Sequence, residues 1–273
     1  MNPIVHYDLA YKYLSTDTLS LIVNGGKLWF SRADVLNDTF ELSPFLMPLN
    51  WPEIVEMKEN KPQIADALVS KAFKKVSSSL YITCFSKHYK DPESQLMWAH
   101  YGDNHKGCCI CIDFSILKNN KNSTGLYPVE VQYVDSLLEE RNSRTPNSDD
   151  LGLLIGATKT KIWEYEKEVR FVLESESFDK NKFEYVNDKQ NISVDFDITF
   201  ISKVIFGLKS SSEEIEKVVK VFCDKGHLPD FTRLDIDPLT LKIMEKDTGH
   251  KSEILQYNKS LQPTAETNGV RLD

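Results

Sequence analysis

The sequence predicts a mixed α+β fold, a mostly antiparallel sheet decorated by helices. Two observations carry this. Short apolar runs of strand length are interspersed with amphipathic stretches of helical period, without the regular strand–helix–strand alternation of a parallel sheet. No Gly-rich loop of the dinucleotide-binding or P-loop kind occurs. At 273 residues the chain can bury a substantial core. The pattern divides it into a single domain over 1–245 and a weakly patterned tail over 246–273.

The elements follow in order. "LAYKYLS" (9–15) is an aromatic strand. The next stretch, "STDTLSLIVNGG", offers Ser15 or Thr16 as an N-cap, puts Leu19, Ile22 and Val23 on one stripe, and ends at Gly25–Gly26. "KLWFSRA" (27–33) is a second strand, and "DVLNDTFE" (34–41) is rich in turn formers. Residues 45–60 are Pro-rich and are expected to be irregular. Ile64, Leu68, Ala72 and Val76 give 62–79 helical spacing, and "LYITCFS" (80–86) is a buried strand. A short helix and a polar loop are expected over 91–107, with strands over 108–114 and 125–135. A polar linker over 139–150 and a helix over 151–162 come next. Further strands are expected at 183–187, as an edge, and at 200–208. A helix over 210–226 has Ser211 and Glu214 in capping-box positions.

Composition narrows the class. Hydrophobic residues make up 41% and charged residues 27%, as in ordinary globular proteins. A net charge of −8 argues against nucleic-acid binding through a broad basic surface. No apolar run reaches the roughly 18 residues of a membrane span. "MNPIVHYDLAYKYL" lacks the basic and apolar regions of a secretion signal. Five cysteines, three of them in "CCIC", fit a reduced, cytoplasmic protein better than a disulfide scaffold.

Three stretches could carry chemistry. In "KIWEYEKEVRFVL" (161–173), an extended backbone puts Trp163, Tyr165, Lys167, Val169 and Phe171 on one face. Glu164, Glu166, Glu168, Arg170 and Val172 take the other. Carboxylates two residues apart on a strand lie roughly 6–7 Å apart and can act as acid and base, or stabilise an oxocarbenium-like sugar. A solvated face carrying both charge signs is the competing reading. In "LNDTFE" (36–41), Asn37 and Asp38 suit a turn, and Phe40 and Glu41 stand at its exit. "WAHYGDNHKGCC" (98–109) gathers His100, Tyr101, Asp103, His105 and Lys106. The spacing fits no structural zinc site, so no metal is expected, and a ligand-binding loop suits the residues better.

Together these blocks resemble the bacterial DUF2971 family, a domain of unknown function. The resemblance rests on "YKYLSTDTLSLIVNGGKLWFSRADVLNDTFE" (11–41) and the blocks at 84–113, 161–170 and 202–207. Thr39 stands where that family usually has Pro. More distantly, strand, helix and "KLWFS" are similar to the N-terminal half of ADP-ribosyltransferases. That resemblance implies NAD as co-substrate, with Glu168 as the catalytic glutamate and Glu166 as its helper. Tyr11, Tyr13, Phe40, Trp98 and Tyr101 become stacking candidates, and Lys12, Arg32 and Arg170 pyrophosphate ligands. Asn37, Asp38 and Glu41 fall in the loop expected to cradle the cofactor. The function implied is an ADP-ribosyltransferase-like enzyme of unknown macromolecular acceptor, acting as a toxin or phage-defence effector. The tail "SLQPTAETNGV" is similar to the ends of mobile gene-cassette proteins, which suits that setting. A non-enzymatic nucleotide sensor or interaction module is the alternative, and a metal-dependent hydrolase or nuclease the second alternative.

Overall fold

A computed structural model of the chain describes residues 9–36, 38, 52–90, 94–113, 126–143, 156–176 and 178–252. Strand β1 (Leu9–Leu14) leads into α1 (Thr16–Gly25). The Ser15 side chain caps α1 by accepting from Thr18 N–H, and Gly26, left-handed at φ 58°, ends it as expected. β2 (Lys27–Arg32) and a 3-10 turn (Ala33–Val35) follow, then α2 (Pro52–Asn60) and α3 (Pro62–Ser79). α2 corrects the expectation of irregular chain for 52–60, because Pro52 sits where a helix tolerates it, in the first turn, while residues 45–51 lie outside the described residues. β3 (Leu80–Ser86), α4 (Ser94–His100) and β4 (Cys108–Asp113) fall where the pattern put them.

The region after β4 departs from the pattern. The expected strand over 125–135 is two strands, β5 (Leu126–Glu130) and β6 (Gln132–Val134), which join different sheets. α5 (Leu137–Ser143) occupies the start of the expected polar linker. Of the expected helix over 151–162, Gly156 is helical and residues 151–155 lie outside the described residues, while β7 (Thr158–Thr160) and the start of a 3-10 helix (Lys161–Glu166) take the place of its second half. The opening residues of "KIWEYEKEVRFVL" are therefore not extended. Lys167, left-handed at φ 46°, turns the chain into β8 (Glu168–Glu174). Only from Glu168 onward does the two-residue alternation hold. β9 (Phe183–Val186), β10 (Asn191–Asp195), β11 (Ile201–Phe206), α6 (Ser212–Asp224), β12 (Asp230–Ile236) and β13 (Ile243–Asp247) complete the chain. The capping box of Ser211 and Glu214 is formed in both directions.

The main sheet runs β13-β12-β11-β4-β1-β3-β2-β10-β9, with β9 at the edge as expected. Its one parallel pairing among these strands is β11 with β12. β3 is the fork. One edge meets β2 near Tyr81 and β1 only at Tyr11↔Ser86, while the other pairs with β8 from Leu80 to Ser86. β8 in turn carries β5. The largest core cluster joins α1 and α6 to the sheet through Leu19, Ile22, Val218 and Phe222 packed with Ile110, Val204 and Phe206. No helix among the described residues is long and apolar enough to cross a membrane.

Candidate functional site

Because β1 and β3 pair through one residue only, side chains rather than backbone fill the space beyond it. There lies a cavity, partly open to solvent. β1 contributes Tyr11, Lys12 and Tyr13, β3 contributes Cys84, Phe85 and Ser86, and β8 contributes Glu168 and Arg170. Met97 of α4, Tyr101 just after it, Lys159 of β7, Glu166 and Leu36 complete the lining.

Its charges are buried and paired. Arg170 Nε donates to Glu168 Oε1 at 2.9 Å and Nη2 to Oε2 at 2.8 Å, a two-pronged clamp. Arg170 Nη1 donates to Gly156 O at 2.5 Å. Lys159 stands between the carboxylates, 2.6 Å from Glu166 Oε2 and 3.1 Å from Glu168 Oε2. The Tyr101 hydroxyl donates to Glu166 Oε1 at 2.7 Å, and the Glu168 N–H donates to the Tyr133 hydroxyl at 2.8 Å. Glu166, Glu168, Lys159 and Arg170 are each less than 5% exposed, at 3%, 4%, 3% and 0%. Unpaired charges at that depth would be prohibitive, so the two acids and two bases are mutually required.

The surroundings push the two carboxylates in opposite directions. Burial raises Glu168, but Arg170 and then Lys159 overcome it and hold the group at about 2. Burial also raises Glu166, and the charge of Glu168 adds to it. The Lys159 ammonium opposes them but leaves Glu166 above the usual carboxylate range. Burial likewise pushes the Cys84 thiol up, with the Glu168 charge reinforcing it. That thiol is therefore a hydrogen-bonding neighbour of Glu168 and a poor nucleophile.

Aromatic groups wall the cavity. Tyr11 packs on Tyr89 with ring centroids 4.6 Å apart, and the Tyr13 hydroxyl donates to His88 O at 3.1 Å. Behind Lys159, whose Nζ lies 5.2 Å from the Trp163 ring, the 3-10 helix places Trp163 beside Tyr165 at 6.2 Å, and Tyr165 lies 6.4 Å from His100.

Of the residues singled out from sequence, Tyr11, Lys12, Tyr13, Tyr101, Glu166, Glu168 and Arg170 line this cavity. Trp98 does not. It is fully buried, edge-on to Tyr13 at 5.1 Å, and is a packing residue instead of a stacking surface for a ligand. Arg32 lies elsewhere, paired with Asp34 at 2.5 Å and reaching Lys189 O. Asp38 is buried two residues beyond Leu36 without being among the lining residues. Asn37, Phe40 and Glu41 lie outside the described residues. Arg170 lines the cavity with its donors turned to Glu168 and Gly156, which makes it the positioner of Glu168. The pattern missed Lys159, because "TKT" inside an expected helix offers neither an apolar period nor a flanking turn signal. Among the described residues no cluster of three or more His, Cys, Asp or Glu could hold a metal.

Residues 97–171 match the model of a family described as a protein of unknown function, DUF2971. That span covers the second half of α4, the turn after it, the "EKE" segment and the first half of β8; the blocks at 11–41 and 202–207 and the start of the block at 84–113 lie outside it. No curated protein matches the chain. Among solved structures, "Thermus sp. 2.9 DarT in complex with ADP-ribosylated ssDNA" aligns at 12% identity with a TM-score of 0.36. The alignment covers 82% of this chain and 92% of that one.

Proposed function

We propose that the cavity binds NAD and that the chain is an ADP-ribosyltransferase-like enzyme. The observation that carries this reading is the pair Glu166 and Glu168. The two are buried in an aromatic-walled cavity, bridged by Lys159, and pushed to opposite sides of the usual carboxylate range. Cleaving the nicotinamide glycosidic bond builds positive charge on the ribose, and a fixed carboxylate stabilises that charge. Glu168 is held ionised and oriented by Arg170, which suits it to this role. Glu166, on the turn beside it, changes protonation more readily and serves as helper in moving the acceptor's proton. Tyr11, Tyr13 and Tyr101 offer ring surface for nicotinamide. Lys12 lines the same cavity, where its Nζ donates to Thr83 Oγ1 and Cys84 O.

One observation favours a second reading, a nucleotide sensor without turnover. Both oxygens of Glu168 already accept from Arg170, which reduces the charge the group can present to a ribose. Titration calorimetry separates the outcomes. The enzyme reading predicts NAD binding by wild type and by Glu168→Gln, with turnover lost in the variant. A sensor loses binding in Glu168→Gln and shows no turnover in either. Absence of heat at millimolar NAD overturns both.

A further inference from the structure

We propose that Lys12 is a reactive amine that captures a small aldehyde as an imine inside the cavity. Lys12 alternates along β1 with Ala10 and Leu14, which are buried core residues, so its side chain leaves β1 on the apolar side. It ends in the gap where β1 and β3 diverge. There Nζ donates to Thr83 Oγ1 at 2.9 Å and to Cys84 O at 3.0 Å. Both acceptors are neutral. A neutral amine has two N–H groups and one lone pair, so these two bonds satisfy it and leave the lone pair unused. An ammonium would keep a third donor without a partner.

The cavity's other lysine is its opposite. Lys159 touches two carboxylates and is held as an ammonium, with no lone pair to offer. The charged and titratable groups facing Lys12 do not reverse the argument. The Cys84 thiol on β3 and Glu168 on β8 favour the ammonium, and the Phe85 ring, 5.1 Å away, does so too. Arg170 and Lys159 oppose it, and both carry their charge beside Glu168. Tyr11, Tyr13 and Tyr101 are phenols, and Glu166 is occupied by Lys159 and Tyr101. Burial is the largest influence and pushes Lys12 below the usual lysine range.

The reaction balances without a co-reactant. The Nζ lone pair attacks the carbonyl carbon, the carbonyl π pair moves to oxygen, and one N–H proton passes from the nitrogen to that oxygen to give a neutral carbinolamine. Loss of water leaves the C=N bond. The inference does not depend on NAD being the ligand.

The test uses pyridoxal as probe, added to the full chain at pH 7 and trapped with borohydride, followed by peptide mapping. An ordinary lysine is unprotonated in only on the order of one molecule in two thousand at this pH. Lys12 is therefore expected to carry more than about tenfold the adduct of an average surface lysine. The preference should vanish in urea, and Lys12→Arg should remove the dominant adduct. Adducts spread over the surface lysines without enrichment at Lys12 would overturn the proposal, and the wild-type comparison with and without urea decides this even if the variant fails to fold. NAD that binds but fails to protect Lys12 would count against the cavity as the NAD site and leave the amine chemistry standing. Protection by NAD would support both.

Discussion

Arg170 is fully buried and spends three of its donors on Glu168 and Gly156. Its charge stabilises the fold only while Glu168 answers it. Arg170→Met is expected to cost about 3–5 kcal/mol in urea unfolding, because it takes the two-pronged partner from a buried ionised carboxylate and leaves it Lys159 alone, and Glu168→Leu added to it should recover much of the loss. A double variant no more stable than Arg170→Met would refute this coupling. The same pair sets a pH dependence. The pKa of Glu168 is lower folded than unfolded, so its contribution is complete above the ordinary glutamate range and is lost as pH falls toward about 2. Glu166 works in the opposite sense, since a raised value gives stability that declines as pH rises. Between pH 7 and pH 3 the wild type should therefore lose more stability than Glu168→Gln. Parallel losses in the two proteins would contradict the assignment. At this scale the alternation from Glu168 to Val172 was legible in the sequence. The burial of Glu166 on a 3-10 turn was not, because nothing local marks Lys167 as left-handed.

Among the elements, the turn between α4 and β4 holds Tyr101 against the cavity. Asp103, Asn104 and His105 all have positive φ, at 50°, 52° and 70°. The turn closes against its neighbours through glycines. A Cβ on Gly107 would stand 2.3 Å from Leu14 O, and one on Gly207 would stand 2.3 Å from His105 O. Both obstacles are backbone and cannot swing aside. Gly207→Ala is thus expected to destabilise by about 1–3 kcal/mol, lowering the melting temperature by roughly 2–4 °C per kcal/mol. Unchanged melting would show that β11 and this turn are not packed as described. Caps and amphipathic stripes made α1, α3 and α6 readable, since each helix carries its own start signal or apolar face. Lys159 on β7 was hidden because a three-residue strand has too few residues to display a period. β12 and β13 were passed over because Asp230, Arg233, Asp235, Glu245 and Lys246 interrupt their apolar residues.

For the molecule as a whole, the sheet order is what creates the site. β3 serves β1 and β2 on one edge and β8 on the other, and the cavity opens where β1 pulls away. Pairings such as β3 with β8 join residues far apart in sequence. No local pattern announces them, although β-branched and aromatic runs announced the strands themselves. A net charge of −8 coexists with a cavity in which Lys159 and Arg170 are paired with Glu166 and Glu168.

The most direct measurement is nicotinamide release from isotopically labelled NAD by the purified chain, with and without cell extract, alongside Glu168→Gln. The account predicts release by wild type that disappears in the variant, with label appearing on a macromolecule when extract is present. No release by wild type under either condition, or equal release by Glu168→Gln, would contradict it.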